Sequence, residues 1–283
     1  MNDSEIRGKS HELIQRFGIK TLPVDPFSIA GKLNISIRPK PCNQEGGIAG
    51  ALLRSGNDFG ILYATNIPNV GYQKFTVAHE IGHFVLDGHM EHLQLSDGDI
   101  HYSTPGFYGD KYEREANYFA ACLLMPEPLF TQVMSANDDG MESIKNLAEK
   151  CETSLTATAI RYIEETESMS AVVVSEKDKI LYSLFSKEMS ELKKVKRPAK
   201  NMPLPANSLT YEINQGADSL GERVGDINML DWFDNGFDVE GKEEVVRLGN
   251  YEKTLTLLTF CSDHEEILED ERMVSSWEPR FGR

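Results

Sequence analysis

Residues 75–86 read Phe75-Thr76-Val77-Ala78-His79-Glu80-Ile81-Gly82-His83-Phe84-Val85-Leu86, and this run restricts the fold more than any other stretch. It is built from helix-compatible and large apolar residues and stops at Asp87-Gly88, so it reads as one helix. Histidines four apart lie one turn above each other, and both imidazoles then face the same point. Glu80 lies about 100° round the axis from His79, off the line of the two rings but within reach of a water between them. Ala78, Ile81, Gly82, Val85 and Leu86 make nearly the whole circumference apolar. The helix is therefore expected to be buried, with polar groups that need partners; a solvated, idle His-Glu stripe is the alternative that these flanks oppose. The other His-Glu pair, His11-Glu12, is followed by Gln15 and Arg16 where a second His would be needed, and is set aside.

Two imidazole nitrogens and one further protein ligand suit Zn2+, with a fourth position left open to water. The ion brings that water's pKa toward ~7, and a neighbouring carboxylate takes its proton during attack on a carbonyl. His79 and His83 are thus the expected metal ligands and Glu80 the expected catalytic base.

Two places compete for the third ligand. A helix over residues 111–125, stopped by Pro126, offers Glu113 and Glu115. Glu113 shares a face with Ala116, Asn117, Ala120 and Leu124, a stripe suited to packing on another helix, while Glu115 points roughly 200° away. Glu113 is preferred and Glu115 is its alternative; Asn117, one turn on, can hold a ligand histidine from behind. If Asp110 caps this helix, Glu113 is instead engaged by backbone donors of the first turn. The other place is His89. The run 79–89 matches H-E-x-x-H-x-x-G-x-x-H except that Leu86 stands at the Gly. Gly88 comes two residues late for the chain to break and return, so His89 is expected to open a loop. His92 and His101 have no spacing that recommends them.

The rest of the chain is read around this centre. Residues 4–17 form an amphipathic helix in which Ile6, Leu13, Ile14 and Phe17 recur at helical spacing, capped by Ser4. Leu22-Pro23-Val24-Asp25-Pro26 is a turn whose Asp25 caps a second helix burying Phe27, Ile29, Ala30 and Leu33. A strand over 35–38 and a loop over 39–46 lead to a hairpin, 47–54 and 59–64. Zinc peptidases of this broad kind pack such a sheet on the metal helix, and its edge strand holds an extended peptide by main-chain hydrogen bonds. Which strand is the edge stays open. The Gly-, Ser-, Asp- and His-rich stretch from Gly88 to Asp110 is longer than a normal connection and reads as a functional or mobile loop.

Beyond the second helix, residues 141–150 and 154–166 form a helix pair turning at Cys151-Glu152-Thr153. Glu142, Glu149, Glu152, Glu164, Glu165 and Glu167 outnumber Lys145, Lys150 and Arg161 there, which disfavours phosphate contact and favours packing or partner docking. A hairpin over 171–175 and 180–185 and a buried strand over 254–261 follow. The expected fold class is α+β. A zincin-like metallopeptidase core, helices on a small mixed sheet, fills 1–138; a helix-turn-helix-like segment fills 139–168; a smaller α+β domain fills 169–283, with regulation as one option for its role.

A formal net charge of −16 opposes nucleic acid and suits a basic macromolecular partner. The basic run over 193–200 reads as a solvated loop. The polar, acidic start has no apolar signal core, and no run approaches the ~18 apolar residues of a membrane span. Four widely spaced cysteines, Cys42, Cys122, Cys151 and Cys261, form no C-x-x-C pair, so neither zinc ribbon nor redox motif is indicated and a cytoplasmic setting is expected.

Two signatures together resemble the ImmA/IrrE metallopeptidases. His79-Glu80-Ile81-Gly82-His83 resembles their zinc helix, and Glu113-Arg114-Glu115-Ala116-Asn117-Tyr118-Phe119-Ala120, ending in Leu123-Leu124-Met125-Pro126, resembles their second signature, of the gluzincin kind. Residues 22–30 are similar to the family's opening element. Glu152-Thr153-Ser154 with Ala157, Ala159 and Arg161 is similar to the helical segment after the core. The likeness covers about residues 10–165. Asn34 in place of Gly and Cys122 in place of an acidic residue depart from the pattern without touching its chemistry. The resemblance implies zinc on His79 and His83, Glu80 as base, and a Glu of the second signature completing the site. It also implies a narrow protein substrate, a helix-turn-helix transcriptional repressor cleaved to relieve repression in a mobile element, prophage or stress response. The competing reading is a non-catalytic module that sequesters a regulator and carries a structural zinc. The intact Glu80 discriminates, because a pure binder has no chemical use for a carboxylate beside an open metal position.

Overall fold

The structure is a computed structural model, and it describes residues 1–40, 49–66, 69–93, 98–103, 110–216, 221–249 and 252–261. Most of the loop expected over 39–46, Cys42, the hairpin start at 47–48 and two stretches of the loop expected between Gly88 and Asp110 lie outside the described residues. The chain divides into two compact units. One comprises Met1–Ala136 and Asn146–Ala157, the other Asn137–Lys145 and Thr158–Arg283. The helix pair expected as a separate segment is shared between them.

The first unit opens with α1 (Asp3–Arg16), whose Ile6, Leu13 and Ile14 are buried as their spacing requires. Its cap is Asn2 rather than Ser4. The Asn2 side chain accepts from the Glu5 amide and the Glu5 carboxylate accepts from the Asn2 amide, each at 2.9 Å. α2 (Pro26–Lys32) begins where Asp25 accepts from the Phe27 amide at 3.0 Å. β1 (Ile35–Lys40), β2 (Gly50–Ser55) and β3 (Asp58–Ala64) follow, then α3 (Val70–Val85). Next come α4 (His89–His92), β4 (Ile100–Ser103), α5 (Lys111–Leu124) and α6 (Glu127–Met134). The stretch expected as one long loop after Gly88 thus holds a helical turn and a strand. Four strands form a sheet in the order β1-β3-β2-β4, with β1 and β3 parallel and the other pairs antiparallel. β4 is an edge. Leu52 and Ile61 of the sheet, Val77, Ala78 and Ile81 of α3, and Phe119, Ala120 and Leu123 of α5 share one core with α1 and α2.

α7 (Met141–Cys151) and α8 (Leu155–Glu165) lead to β5 (Ser170–Glu176), β6 (Lys179–Phe185) and α9 (Lys187–Glu191). α10 (Leu209–Asn214), β7 (Glu222–Asn228), α11 (Met229–Trp232), β8 (Glu240–Arg247) and β9 (Lys253–Phe260) complete the described chain. Their five strands form an antiparallel sheet in the order β6-β5-β9-β8-β7. β5 and β9 are inner strands and almost wholly buried, the hydroxyls of Thr254 and Thr256 included. The sheet shares a second core with Met189, Leu192, Met229, Trp232 and Phe233. Arg161 is 2% exposed and pairs with Glu164 and Glu165, each at 2.9 Å, so its charge is neutralised inside the protein. The basic run over 193–200 lies outside helix and strand, with Lys193, Lys196, Arg197 and Lys200 exposed and Val195 in the core. Among the described residues Cys122, Cys151 and Cys261 form no disulfide, and no helix is long and apolar enough to cross a membrane. The whole is an α+β protein, with helices on a small mixed sheet in the first unit and an antiparallel sheet with short helices in the second.

Candidate metal centre

α3 carries the centre, and its local sequence explains how. Asn69 caps it by accepting from the Tyr72 amide at 2.9 Å, and from Thr76 to His83 every residue is buried. His79 and His83 stand one turn apart on the face toward α5. Their Nε2 atoms are 3.1 Å from each other. Asp110 caps α5 by accepting from the Tyr112 amide, yet Glu113 turns toward the histidines of α3 and not to the backbone donors of that first turn. Glu113 then meets His79 Nε2 at 3.3 Å through one oxygen and His83 Nε2 at 3.2 Å through the other. Among the described residues, His79, His83 and Glu113 form the group of metal-ligating side chains whose donor atoms all lie within 4.8 Å of one another.

This donor set fits a divalent metal. Bonds of about 2.0–2.1 Å in a tetrahedron set neighbouring ligand atoms about 3.3 Å apart. The two ring nitrogens, 3.1 Å apart, and the 3.2 and 3.3 Å from each of them to a different Glu113 oxygen are close to that edge. Two acceptor nitrogens and a carboxylate converge in a buried space, an arrangement that a cation resolves.

Electrostatics act differently on the three donors. Burial lowers the His83 pKa to about 4, so its ring is neutral near pH 7. Burial acts the same way on His79, but the Glu113 hydrogen bond, the Glu80 and Glu113 charges and Asn117 outweigh it and raise that pKa. Burial alone would raise Glu113. The His101, His79 and His83 imidazoles that surround it outweigh burial and hold its carboxyl well below the usual range.

Glu80 is fully buried on α3, and its carboxylate lies against Gly50 of β2. Asn117, one turn after Glu113, meets His79 Nδ1 through its side-chain oxygen at 2.9 Å. The two alternative third ligands, Glu115 and His89, are not with the donor set. They pair with each other, His89 Nε2 to Glu115 Oε2 at 3.1 Å, on the far side of His83. Glu115 is buried although it points away from Glu113, because α5 is covered on that side too, and the Met1 amino group also contacts it. Gly88, at φ +81°, makes a left-handed turn that sends His89 back to His83, but to its Nδ1 side at 3.1 Å.

Sequence spacing passed over His101. On β4 its Nε2 stands 3.2 Å from Glu113 Oε1, beside the centre. Nothing in motif spacing locates it, because the connection between α3 and β4 has no set length; only the sheet brings β4 to β2. His92 is elsewhere, stacked on Tyr112 and 3.0 Å from Asp110.

Comparison with known proteins agrees with this geometry. The IrrE N-terminal-like peptidase domain matches residues 55–162, which include α3 and α5. The radiation response metalloprotease IrrE of Deinococcus radiodurans is 32% identical over 98 residues, which are 33% of this chain and 28% of that protein. The chain therefore spans little more than a quarter of that relative's length. A Mycobacterium tuberculosis transcriptional regulator has a similar fold, with a TM-score of 0.54 over 90% of this chain and 87% of that one, at 13% identity. The segment that carries the metal centre thus matches the IrrE N-terminal-like domain and is similar to the ImmA/IrrE metallopeptidases over that stretch.

Proposed function

We propose that the chain is a zinc-dependent endopeptidase of narrow specificity whose substrate is a helix-turn-helix transcriptional repressor, cleaved to relieve repression. The observation that carries the reading is the convergence of His79, His83 and Glu113 at mutual distances of 3.1–3.3 Å, with Glu80 one residue along the same helix. His79 and His83 would hold the ion through Nε2 and Glu113 through its carboxylate. Zinc held there supplies a Lewis acid that polarises the scissile carbonyl and makes water nucleophilic near neutral pH. Glu80 takes the proton of the attacking water and returns it to the leaving amine. Asn117 orients His79, and His101 holds Glu113 from the sheet side. β4, at the sheet edge, offers main-chain N–H and C=O groups to an extended substrate segment, as in strand addition. The net charge of −16 suits a basic, DNA-binding substrate more than DNA itself, and a cytoplasmic setting goes with such a substrate.

Glu80→Gln tests the reading. It keeps size and hydrogen-bonding shape and removes the base, so metal content and substrate binding should survive. Loss of a general base typically lowers the rate by ~10² to 10⁴. Wild type co-expressed with a candidate helix-turn-helix repressor from the same genome should yield cleaved repressor, whereas the variant should hold it uncleaved in a complex, seen by pull-down and intact mass. If both relieve repression with the repressor at full mass, proteolysis is not the mechanism and sequestration is.

A further inference from the structure

The hydrogen-bond partners of the two histidine ligands determine where their protons sit. A neutral imidazole has one N–H, and a ring that offers Nε2 to a metal must carry it on Nδ1. For His79 that hydrogen meets an amide oxygen, Asn117 Oδ1, at 2.9 Å. For His83 it meets another ring nitrogen, His89 Nδ1, at 3.1 Å. His89 must then accept on Nδ1 and carry its own hydrogen on Nε2. That atom faces Glu115 Oε2 at 3.1 Å, and an ionised carboxylate only accepts. Every link admits one direction: His83 donates to His89, and His89 donates to Glu115.

We propose that His89 and Glu115 are positioning residues that lock His83 in its metal-binding tautomer and ring orientation. The pair is built for this. His89 is 0% exposed, and Tyr112 packs edge-on to its ring with centroids 5.0 Å apart. The left-handed turn at Gly88 brings it behind His83. A buried carboxylate at the end of the chain fixes the direction of both hydrogen bonds and increases the basicity of the metal-facing nitrogen. The purpose of the relay rests on the metallopeptidase reading above; its existence does not.

The test uses the full chain. In metal-free wild type, long-range ¹H–¹⁵N spectra of the imidazoles should show His83 protonated on Nδ1 and His89 on Nε2. His89→Phe keeps the ring volume and removes both nitrogens. It should mix the His83 tautomers and weaken Zn2+ affinity about 10- to 100-fold in chelator competition, with an unchanged far-UV spectrum. Glu115→Gln, which keeps an accepting oxygen, should lose less than Glu115→Ala. Wild-type His83 protonated on Nε2 would overturn the proposal, and that measurement needs no variant to fold. So would a folded His89→Phe with wild-type zinc affinity, or one that loses zinc as completely as His79→Ala, which would make His89 a ligand. Failure of wild type to bind zinc would instead defeat the metallopeptidase reading, and the tautomers would still decide the relay.

Discussion

A Cβ on Gly50 would stand 2.5 Å from Thr76 Cγ2 and 2.6 Å from Glu80 Oε1, closer than heavy atoms pack. Only glycine lets β2 run this close to the residue assigned as base. Gly50→Ala should destabilise the protein by ~1–3 kcal/mol and displace Glu80. The expected signature is a lower Tm and impaired cleavage with near-normal metal content; wild-type Tm and activity would place Glu80 away from β2. The ligands predict the opposite pattern. Purified protein should carry about one zinc per chain, and His79→Ala, His83→Ala or Glu113→Gln should each lose it by metal analysis. Full occupancy in the doubly substituted His79→Ala, His83→Ala protein would remove the site. Glu113→Gln should abolish binding where Glu115→Gln only weakens it, because Glu113 meets both histidines and Glu115 meets neither.

At the scale of elements, the site depends on how closely α3 and α5 approach. A Cβ on Gly82 would lie 3.0 Å from Phe119 Cδ1 and 3.3 Å from Ala116 Cα. Gly82 and Ala116 therefore set the helix separation, and with it the reach of Glu113 and Asn117 to the histidines. Gly82→Val should push the helices apart, lowering stability by ~1–3 kcal/mol and also weakening zinc affinity, although residue 82 touches no ligand atom. Thermal unfolding and chelator competition measured together check this. Unchanged affinity in a destabilised variant would mean that α5 does not position the donors.

At the scale of the whole molecule, two units have separate cores and separate vulnerabilities. In the second, Glu243 of β8 is 0% exposed and accepts from the Leu209 and Thr210 amides at 3.1 and 2.8 Å and from the Thr210 hydroxyl at 2.6 Å. It ties the start of α10 to the sheet. Glu243→Ala strands those donors and should destabilise this unit by roughly 1–3 kcal/mol. Hydrogen exchange should rise in β8 and α10 while zinc affinity stays as in wild type; lost affinity would show that the centre draws on the second unit. The net charge of −16 acts on the whole chain. Association with the proposed basic substrate should slow about tenfold or more from low to physiological ionic strength, as stopped-flow would record.

Much of this was legible along the chain because it is periodic and local. The apolar run around His79, Glu80 and His83 specified a buried helix with two rings on one face. The stripe Glu113, Ala116, Asn117 and Ala120 marked the face of a partner helix, and the Asp25 cap and the turn between β2 and β3 lay where their residues indicated. Spacing could not separate Glu113 from Glu115 with certainty, since both are buried and only the packing of α5 between α3 and its other neighbours turns one toward the histidines. It could not find His101, which reaches the centre through strand pairing between β4 and β2, an interaction without a fixed sequence distance. Nor could it see that His89 and Glu115 pair behind His83. That contact joins a left-handed turn to a different helix, and only tertiary packing decides which buried polar groups meet.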